Sequence, residues 1–90
     1  MRFQAFEWDG WNVEHLARHA VEPHEAEAVC RSQATLILRG REGRYLAYGR
    51  TSAGRSLLIV IRALEGGVAR IITARDMTQR ERRLYQGRRR

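Results

Sequence analysis

The chain has 90 residues, of which 43% are hydrophobic and 30% are charged, so it fits one folded domain rather than a disordered basic tail. All 17 basic residues are arginine, and against 10 acidic residues they give a formal charge of +7. The longest aliphatic run, Leu57 to Ile61, has five residues, whereas a membrane span needs about 20. The N-terminus has no apolar signal core. We therefore expect a single domain over residues 1–90, a cytoplasmic location and no membrane partner.

The charge is unevenly distributed along the chain. Residues 1–38 carry three arginines and six carboxylates, whereas residues 39–90 carry 14 arginines and four carboxylates, so the net charges are −3 and +10. This asymmetry indicates that the second part makes a directed contact with nucleic acid or with an acidic protein. Codon usage in a GC-rich genome explains arginine in place of lysine, but it does not explain the excess of positive charge. A solvated arginine surface, balanced in space by acidic helices, is the alternative.

The first part of the chain predicts a short strand followed by two helices. Residues 2–8 alternate in the manner of a strand. Asp9 is a candidate N-cap for the first helix, and Pro23 suits the first turn of the second. The predicted apolar positions are Val13, Leu16, Ala17 and Ala20 in the first helix, and Ala26, Val29 and Cys30 in the second.

From residue 34 onward the pattern is typical of strands. Four runs rich in β-branched and aromatic residues cover residues 35–38, 44–48, 57–64 and 68–73, and glycine-containing turns separate them. Such short connections predict a four-stranded antiparallel meander. The run Leu57 to Ile61 is apolar at every position, which predicts a central strand covered on both faces.

A helix is predicted at the C-terminus. Thr78 and Glu81 have the spacing of a capping box, and Met77, Leu84 and Tyr85 are expected on the buried side of the helix. Residues 88–90 are expected to form a frayed tail. Helices segregated from a meander define an α+β fold class.

Neither a metal centre nor a covalent nucleophile is indicated. His15 and His19 have the i, i+4 spacing of two helical metal ligands, but Leu16 stands where a His-Glu-x-x-His site has its glutamate. The alternative for the stripe of Asn12, His15 and His19 is packing at the boundary between helix and sheet, with bonds to backbone carbonyls. Cys30 falls in an apolar helical register that indicates a buried, inert thiol. We therefore expect no metal and no other cofactor.

Arginines on the predicted strands and the last helix are the strongest binding candidates. A guanidinium group stays protonated and bonds phosphate in a bidentate manner, so it suits holding a phosphate but not transferring a proton. An acid or a base would have to come from other side chains. The candidate arginines are Arg44, Arg50, Arg62, Arg70, Arg75, Arg80, Arg82 and Arg83, and the candidate acids and bases are His15, His19, Tyr48, Glu81 and Tyr85.

Several motifs, taken in order, resemble the BrnT family of type II toxins, and they cover nearly the whole chain. Single motifs are weak, but the ordered set is fairly specific. The motifs are Phe6-Glu7-Trp8-Asp9, Asn12-x-x-His15-Leu16-x-Arg18-His19-x-Val21, Glu25-Ala26-Glu27-Ala28-Val29, Gly43-Arg44-Tyr45-Leu46-Ala47-Tyr48-Gly49, Gly54-Arg55 and Arg70-Ile71-Ile72-Thr73-Ala74-Arg75-Asp76-Met77-Thr78-x-x-Glu81-Arg82.

The resemblance implies a RelE-like fold and a ribonuclease toxin that is neutralised by a BrnA-like antitoxin. The partners it implies are RNA and that antitoxin, with operator DNA bound only through the complex of the two proteins. By position it favours as catalytic residues His19, Arg44, Arg75, Glu81 and Arg82. The remaining arginines, which are left for binding RNA, are Arg50, Arg62, Arg70, Arg80 and Arg83.

The chain also departs from the family pattern. Family members commonly have Lys-His-Gly where this chain has Arg18-His19-Ala20, and they have a longer, more polar segment than residues 39–42. Loss of that segment leaves open a second interpretation, a nucleic-acid-binding or partner-binding module that keeps the fold without cleaving RNA. In a third interpretation the arginines only keep a monomer in solution.

Overall fold

A computed structural model describes residues 3–88 of the chain and confirms the α+β class. Arg2, where the first strand was predicted to begin, and Arg89 and Arg90 of the predicted tail lie outside the described residues. Arg88 is the last residue of a helix rather than part of a frayed tail. None of the helices within residues 3–88 has the length and apolar composition to cross a membrane. The elements in chain order are β1 (Ala5–Glu7), α1 (Gly10–Ala17), α2 (Pro23–Arg31), β2 (Leu36–Arg39), β3 (Arg44–Arg50), β4 (Ser56–Ala63), a short 3-10 helix (Glu65–Gly67), β5 (Val68–Asp76) and α3 (Gln79–Arg88).

The five strands form one mixed sheet in the order β1-β5-β4-β3-β2. Strands β2 to β5 pair as the predicted antiparallel meander. The meander is only part of the sheet, because β1 adds a fifth strand that runs parallel to β5, with Glu7 opposite Arg70. β4 is the middle strand, in agreement with the apolar run from Leu57 to Ile61.

β5 contains one more residue than its partner strand at a single point. Val60 lies opposite Thr73, but the next residue of β4, Ile61, lies opposite Ile71. Ile72 therefore has no partner in β4 and forms a β-bulge, an insertion that shifts the alternation of side chains by one residue.

Hydrophobic residues pack on both faces of the sheet. The larger cluster lies between the sheet and the helices α1 and α2, and it includes the predicted residues Ala26, Val29 and Cys30 of α2. The smaller cluster lies on the other face, where α3 packs, and it consists of Tyr48, Leu58, Met77 and Tyr85. Two faces covered by helices account for the apolar character of β4 at every position.

α1 begins at the predicted N-cap. The carboxylate of Asp9 accepts hydrogen bonds from the backbone N–H groups of Trp11 and Asn12 at 3.0 and 3.2 Å, and the side-chain oxygen of Asn12 accepts one from the Asp9 N–H at 2.8 Å. This reciprocal pair satisfies N–H groups that the first helical turn leaves without partners.

The predicted apolar stripe of α1 is wrong. Leu16 is buried, but Val13 is 38% exposed, and Ala17 and Ala20 are also exposed. The reason is Asn12, which is fully buried and donates to the backbone carbonyl oxygens of Glu7 and Ile71. These bonds turn the Asn12 side of the helix toward the sheet, because a buried amide needs partners.

α3 begins with the predicted capping box. The Thr78 N–H donates to the Glu81 carboxylate at 2.8 Å, and the Thr78 hydroxyl oxygen accepts from the Glu81 N–H at 3.1 Å. Met77 and Tyr85 are each 3% exposed, as predicted, but Leu84 is 38% exposed, so its predicted burial is wrong. Tyr85 therefore supplies the main contact of α3 with the sheet.

Candidate functional site

The predicted site arginines of β3, β4 and β5 fall into two groups on the sheet face that carries α3. Arg75 lies opposite Leu58, next to α3, whereas Arg44, Arg62 and Arg70 lie side by side in a row across β3, β4 and β5. Leu58 and Arg62 are separated along β4 by a distance of about 13 Å, the rise of four strand residues. Arg44 is therefore not in one cluster with the other residues favoured as catalytic.

A cleft of about 440 Å³ opens where the ends of β3, β4 and β5 meet α3. Two of its arginines, Arg50 and Arg82, are exposed and form no ion pair with any carboxylate of residues 3–88. Two guanidinium groups without a carboxylate partner on one concave surface are suited to binding an anion. The residues that line the cleft are Arg50, Gly54, Arg55, Ser56, Asp76, Arg82 and Gln86.

Arg55 connects this cleft to the turn that follows α1. Its guanidinium donates to both carboxylate oxygens of Asp76, at 2.7 and 3.3 Å, and to the backbone carbonyl oxygens of His19 and Ala20, at 2.5 and 2.6 Å. Ala20 has a φ of 55°, in the left-handed region that residues other than glycine rarely adopt. Arg55 thus holds an unfavourable turn in place, and with it the backbone of His19 beside Asp76.

The Asp76 carboxyl lies in the electrostatic field of three neighbouring residues. The pKa of the Asp76 carboxyl is lowered, first by the hydrogen bond from Arg55 and further by the charges of Arg55, Arg82 and His19. An ionised Asp76 cannot donate a proton at neutral pH.

Arg75 and Glu81 form a bidentate ion pair at the start of α3. The two guanidinium nitrogens lie 2.8 and 2.9 Å from the two carboxylate oxygens. The bond from Arg75, with the bonds from Thr78, lowers the pKa of Glu81 to about 2. A carboxyl with that pKa is ionised at neutral pH and is a weak base, so Glu81 is suited to holding Arg75 and the helix start rather than to proton transfer.

In the row of Arg44, Arg62 and Arg70, only Arg70 forms ion pairs with carboxylates of the described residues. Arg44 and Arg62 are exposed and have no carboxylate partner among residues 3–88. Arg70, in contrast, donates to Glu7 at 2.9 Å and to Asp9 at 3.0 Å. Arg44 and Arg62 lie directly opposite each other and therefore repel. A bound anion such as a phosphate would reduce this repulsion.

The other candidates lie outside the cleft or are exposed on α3. Tyr48 and Tyr85 are buried between the sheet and α3, and the Tyr85 hydroxyl donates to the Ala34 carbonyl oxygen at 3.2 Å. Burial raises the pKa of the Cys30 thiol to about 12, in agreement with the predicted inert cysteine. No group of three or more His, Cys, Asp or Glu side chains within residues 3–88 could hold a metal ion. The exposed arginines of α3 outside the cleft are Arg80, Arg83 and Arg88.

Two charged residues of the cleft were not predicted as site residues. Arg55 and Asp76 both stand in motifs of the family resemblance, Gly54-Arg55 and Arg75-Asp76, which is the signal that could have found them. Their meeting depends on the pairing of β4 with β5, where Leu57 lies opposite Asp76. The spacing in the sequence alone gives no sign of that contact.

Comparison with known proteins identifies the family. A family model described as "Ribonuclease toxin, BrnT, of type II toxin-antitoxin system" matches residues 8–81. The 1.1 Å crystal structure of the Brucella abortus ribonuclease toxin BrnT is similar with a TM-score of 0.68, over 83% of this chain and 97% of that chain, at 14% sequence identity. No curated protein sequence matches the chain. At 14% identity the structural likeness shows the fold, whereas the family model matches most of the chain. The chain therefore belongs to the BrnT family of ribonuclease toxins of type II toxin–antitoxin systems.

Proposed function

We propose that this toxin cleaves RNA at the cleft between β4, β5 and α3 by metal-independent acid–base chemistry. The observation that carries the proposal is the position of His19, next to a cleft in which Arg50 and Arg82 lack carboxylate partners. A phosphate bound by the two arginines would lie close to an imidazole. None of the described residues that line the cleft is a histidine, and His19 adjoins the cleft through the hydrogen bond from Arg55 to its backbone carbonyl oxygen.

Each part of the reaction has a candidate residue. His19 takes the proton of the 2′-hydroxyl, whose oxygen attacks the adjacent phosphorus and forms a 2′,3′-cyclic phosphate. Arg50 and Arg82 hold the phosphate oxygens and stabilise the charge that develops on them. The 5′-oxygen leaves with its bonding electron pair and takes a proton from water, since Asp76 and Glu81 are ionised.

Arg55 and Asp76 support His19 in this scheme. The carboxylate of Asp76 stabilises the imidazolium that forms when His19 accepts the proton. Arg55 fixes the backbone of the His19 turn through two carbonyl bonds. Arg75 and Glu81 hold the beginning of α3, and therefore Arg82, against the end of β5.

The rest of the basic surface binds the RNA backbone in this proposal. Arg44 and Arg62 contribute from the distant row, with Arg70 at its end, and Arg80 and Arg83 contribute from α3. Binding by phosphate neutralisation weakens steeply as salt concentration rises.

Inducible expression in a bacterial host tests the nuclease proposal. The toxin should stop growth and cleave RNA, and His19→Ala or Arg82→Ala should abolish both while circular dichroism shows a folded protein. His24→Ala and Arg18→Ala are matched controls, because both side chains are exposed and neither lines the cleft. Normal growth with intact RNA at high soluble expression would contradict the proposal. Salt-sensitive RNA binding without cleavage would instead indicate the binding module.

The same proposal includes a neutralising partner. We expect a BrnA-like antitoxin, encoded beside this gene as a small ribbon-helix-helix protein, to cover the basic surface in the cytoplasm. Operator DNA is then bound through the complex rather than by the toxin. Co-expression of the neighbouring gene should restore growth, and a growth arrest that persists would argue against this partner.

A further inference from the structure

Trp11 presents a flat apolar surface to solvent. The side chain stands in the first turn of α1 and is 50% exposed. His15, one turn later, stacks on it with ring centroids 3.8 Å apart and an angle of 25° between the planes. The imidazole covers one face of the indole, so the exposed half consists of the ring edge and of the part of the other face that the Arg70 guanidinium does not cover. His15 thus supports the ring from one side, and the guanidinium of Arg70 lies above the other side without packing directly on it.

This surface lies at the end of the arginine row. The guanidinium carbon of Arg70 is 5.8 Å from the centroid of the Trp11 ring, within the range of cation–π attraction but beyond the roughly 3.5 to 4 Å of direct packing contact. Arg44 and Arg62 continue the row away from Trp11. A row of cations that leads to an exposed aromatic ring is the combination by which proteins bind single-stranded nucleic acid.

The same edge of α1 leads from Trp11 to the cleft. Trp11, His15 and His19 follow at intervals of four residues, and the His19 N–H still bonds the carbonyl oxygen of Leu16 at 3.0 Å. α1 ends at Ala17 and His19 lies in the turn that follows, so eight residues place Trp11 on the order of 12 Å from His19. A strand with its reacting phosphate at His19 can therefore reach Trp11 with a nearby nucleotide.

The carboxylates near Trp11 indicate which part of a nucleotide fits there. Glu7 and Asp9 both bond Arg70, so the local positive charge is already neutralised. A phosphate would be repelled by the carboxylates, whereas an uncharged base can stack on the ring without being repelled. The charge pattern separates a base-binding position at Trp11 from phosphate-binding positions at Arg44 and Arg62.

We propose that Trp11 is a stacking platform for an unpaired base of the RNA that is cleaved near His19. This inference rests on the proposed nuclease function, since it places the platform on the path of that substrate. It assigns to α1 a substrate-binding role besides its packing against the sheet.

The test uses a short 2′-O-methyl oligonucleotide, which lacks the nucleophilic hydroxyl, and the same oligonucleotide with abasic positions. Trp11→Ala should weaken binding of the first probe about tenfold, the lower range expected for the loss of one stacked base, and should leave binding of the abasic probe unchanged. Val13→Ala is the matched control, because Val13 is an exposed apolar residue of the same helix that lies away from the arginine row. Tryptophan fluorescence gives a second readout, since stacking should quench the emission of wild type but not that of Trp11→Phe, which retains Trp8.

The outcomes separate the platform from the nuclease proposal. Equal affinity of wild type and Trp11→Ala for the 2′-O-methyl probe would overturn the platform, even if His19→Ala abolishes cleavage. An equal loss for the abasic probe would also overturn it, because the effect would then not come from a base. If Trp11→Ala raises KM and His19→Ala leaves kcat unchanged, the platform stands and the role of His19 is refuted.

Discussion

The ion pair between Arg75 and Glu81 allows a quantitative test of what Glu81 does. Glu81→Gln keeps the size of the side chain but removes the charge that bonds Arg75 and caps α3. The lowering of the pKa from 4.5 to about 2 corresponds to roughly 3 kcal/mol. The side chains of Arg75 and Glu81 are 39% and 20% exposed, so solvent screening reduces this figure to about 1 to 2 kcal/mol. We expect the free energy of unfolding at pH 7 to fall by that amount.

The pH dependence gives the sign of the effect. Because the pKa of Glu81 is lower in the folded state than in the unfolded state, its stabilisation is complete above the unfolded value of 4.5 and is lost as the pH falls through about 2. Urea unfolding at a series of pH values should show wild type and Glu81→Gln converging as the pH falls from about 5 to about 2.

Two outcomes would refute this reasoning. One is equal stability of wild type and Glu81→Gln at pH 7, and the other is a difference that persists undiminished near pH 2. Glu14→Gln is the matched control, because Glu14 and Arg18 form an exposed i, i+4 pair that contributes about 0.3 to 0.5 kcal/mol at most.

Three further predictions concern the packing, the thiol and the arginine row. A methyl group at Gly49 would lie 2.5 Å from the Thr35 hydroxyl oxygen, so Gly49→Ala should cost about 1 to 3 kcal/mol in urea unfolding, whereas Gly87→Ala, with open space in α3, should gain up to about 1 kcal/mol. The Cys30 thiol should react with an aromatic disulfide reagent at pH 8 only as fast as the protein unfolds, and rapid labelling of the native protein would contradict its burial. Arg62→Gln should raise the free energy of unfolding by up to about 1 kcal/mol, by relieving repulsion from Arg44, while it lowers RNA affinity and the salt dependence of binding. Unchanged binding would exclude Arg62 from the RNA-binding surface.

Features that depend on neighbouring residues were predicted correctly from the sequence. The cap at Asp9 and the capping box of Thr78 and Glu81 join groups three residues apart, so their spacing contains the needed information. The meander from β2 to β5 follows from short turns, which leave adjacent strands little choice except to pair.

Features that depend on distant contacts were not predicted. The pairing of β1 with β5 joins residues about 63 positions apart, as in Glu7 and Arg70. The rotation of α1 was not predicted by the apolar stripe, although the alternative in which Asn12 packs at the boundary between helix and sheet and bonds backbone carbonyls is confirmed for Asn12, which donates to the Ile71 carbonyl oxygen. A pattern of apolar residues cannot show that a buried amide has found partners.

In the candidate site, too, the sequence predicts what depends on composition and local motifs but not what depends on distant contacts. The charge count directed attention to the second part of the chain, and the resemblance correctly identified the family. The sequence could not separate Arg44 from Arg82, because their distance depends on sheet register and on where α3 packs. It also could not show that Arg55 reaches the His19 turn, since 35 residues separate Arg55 from the Ala20 carbonyl that it bonds.

The bulge at Ile72 determines on which face of the sheet the Arg75 side chain lies. Arg70 and Arg75 are five residues apart, and in a regular strand they would lie on opposite faces. The one unpaired residue brings both onto the face that carries α3. Deletion of Ile72 would remove the bulge and leave Arg70 and Arg75 four residues apart on that same face, whereas insertion of one more residue without a second bulge would turn the Arg75 guanidinium toward the aliphatic core beneath α1 and α2. This short stretch of β5 can thus lose its one extra residue, but cannot gain another, without moving Arg75 to the opposite face of the sheet.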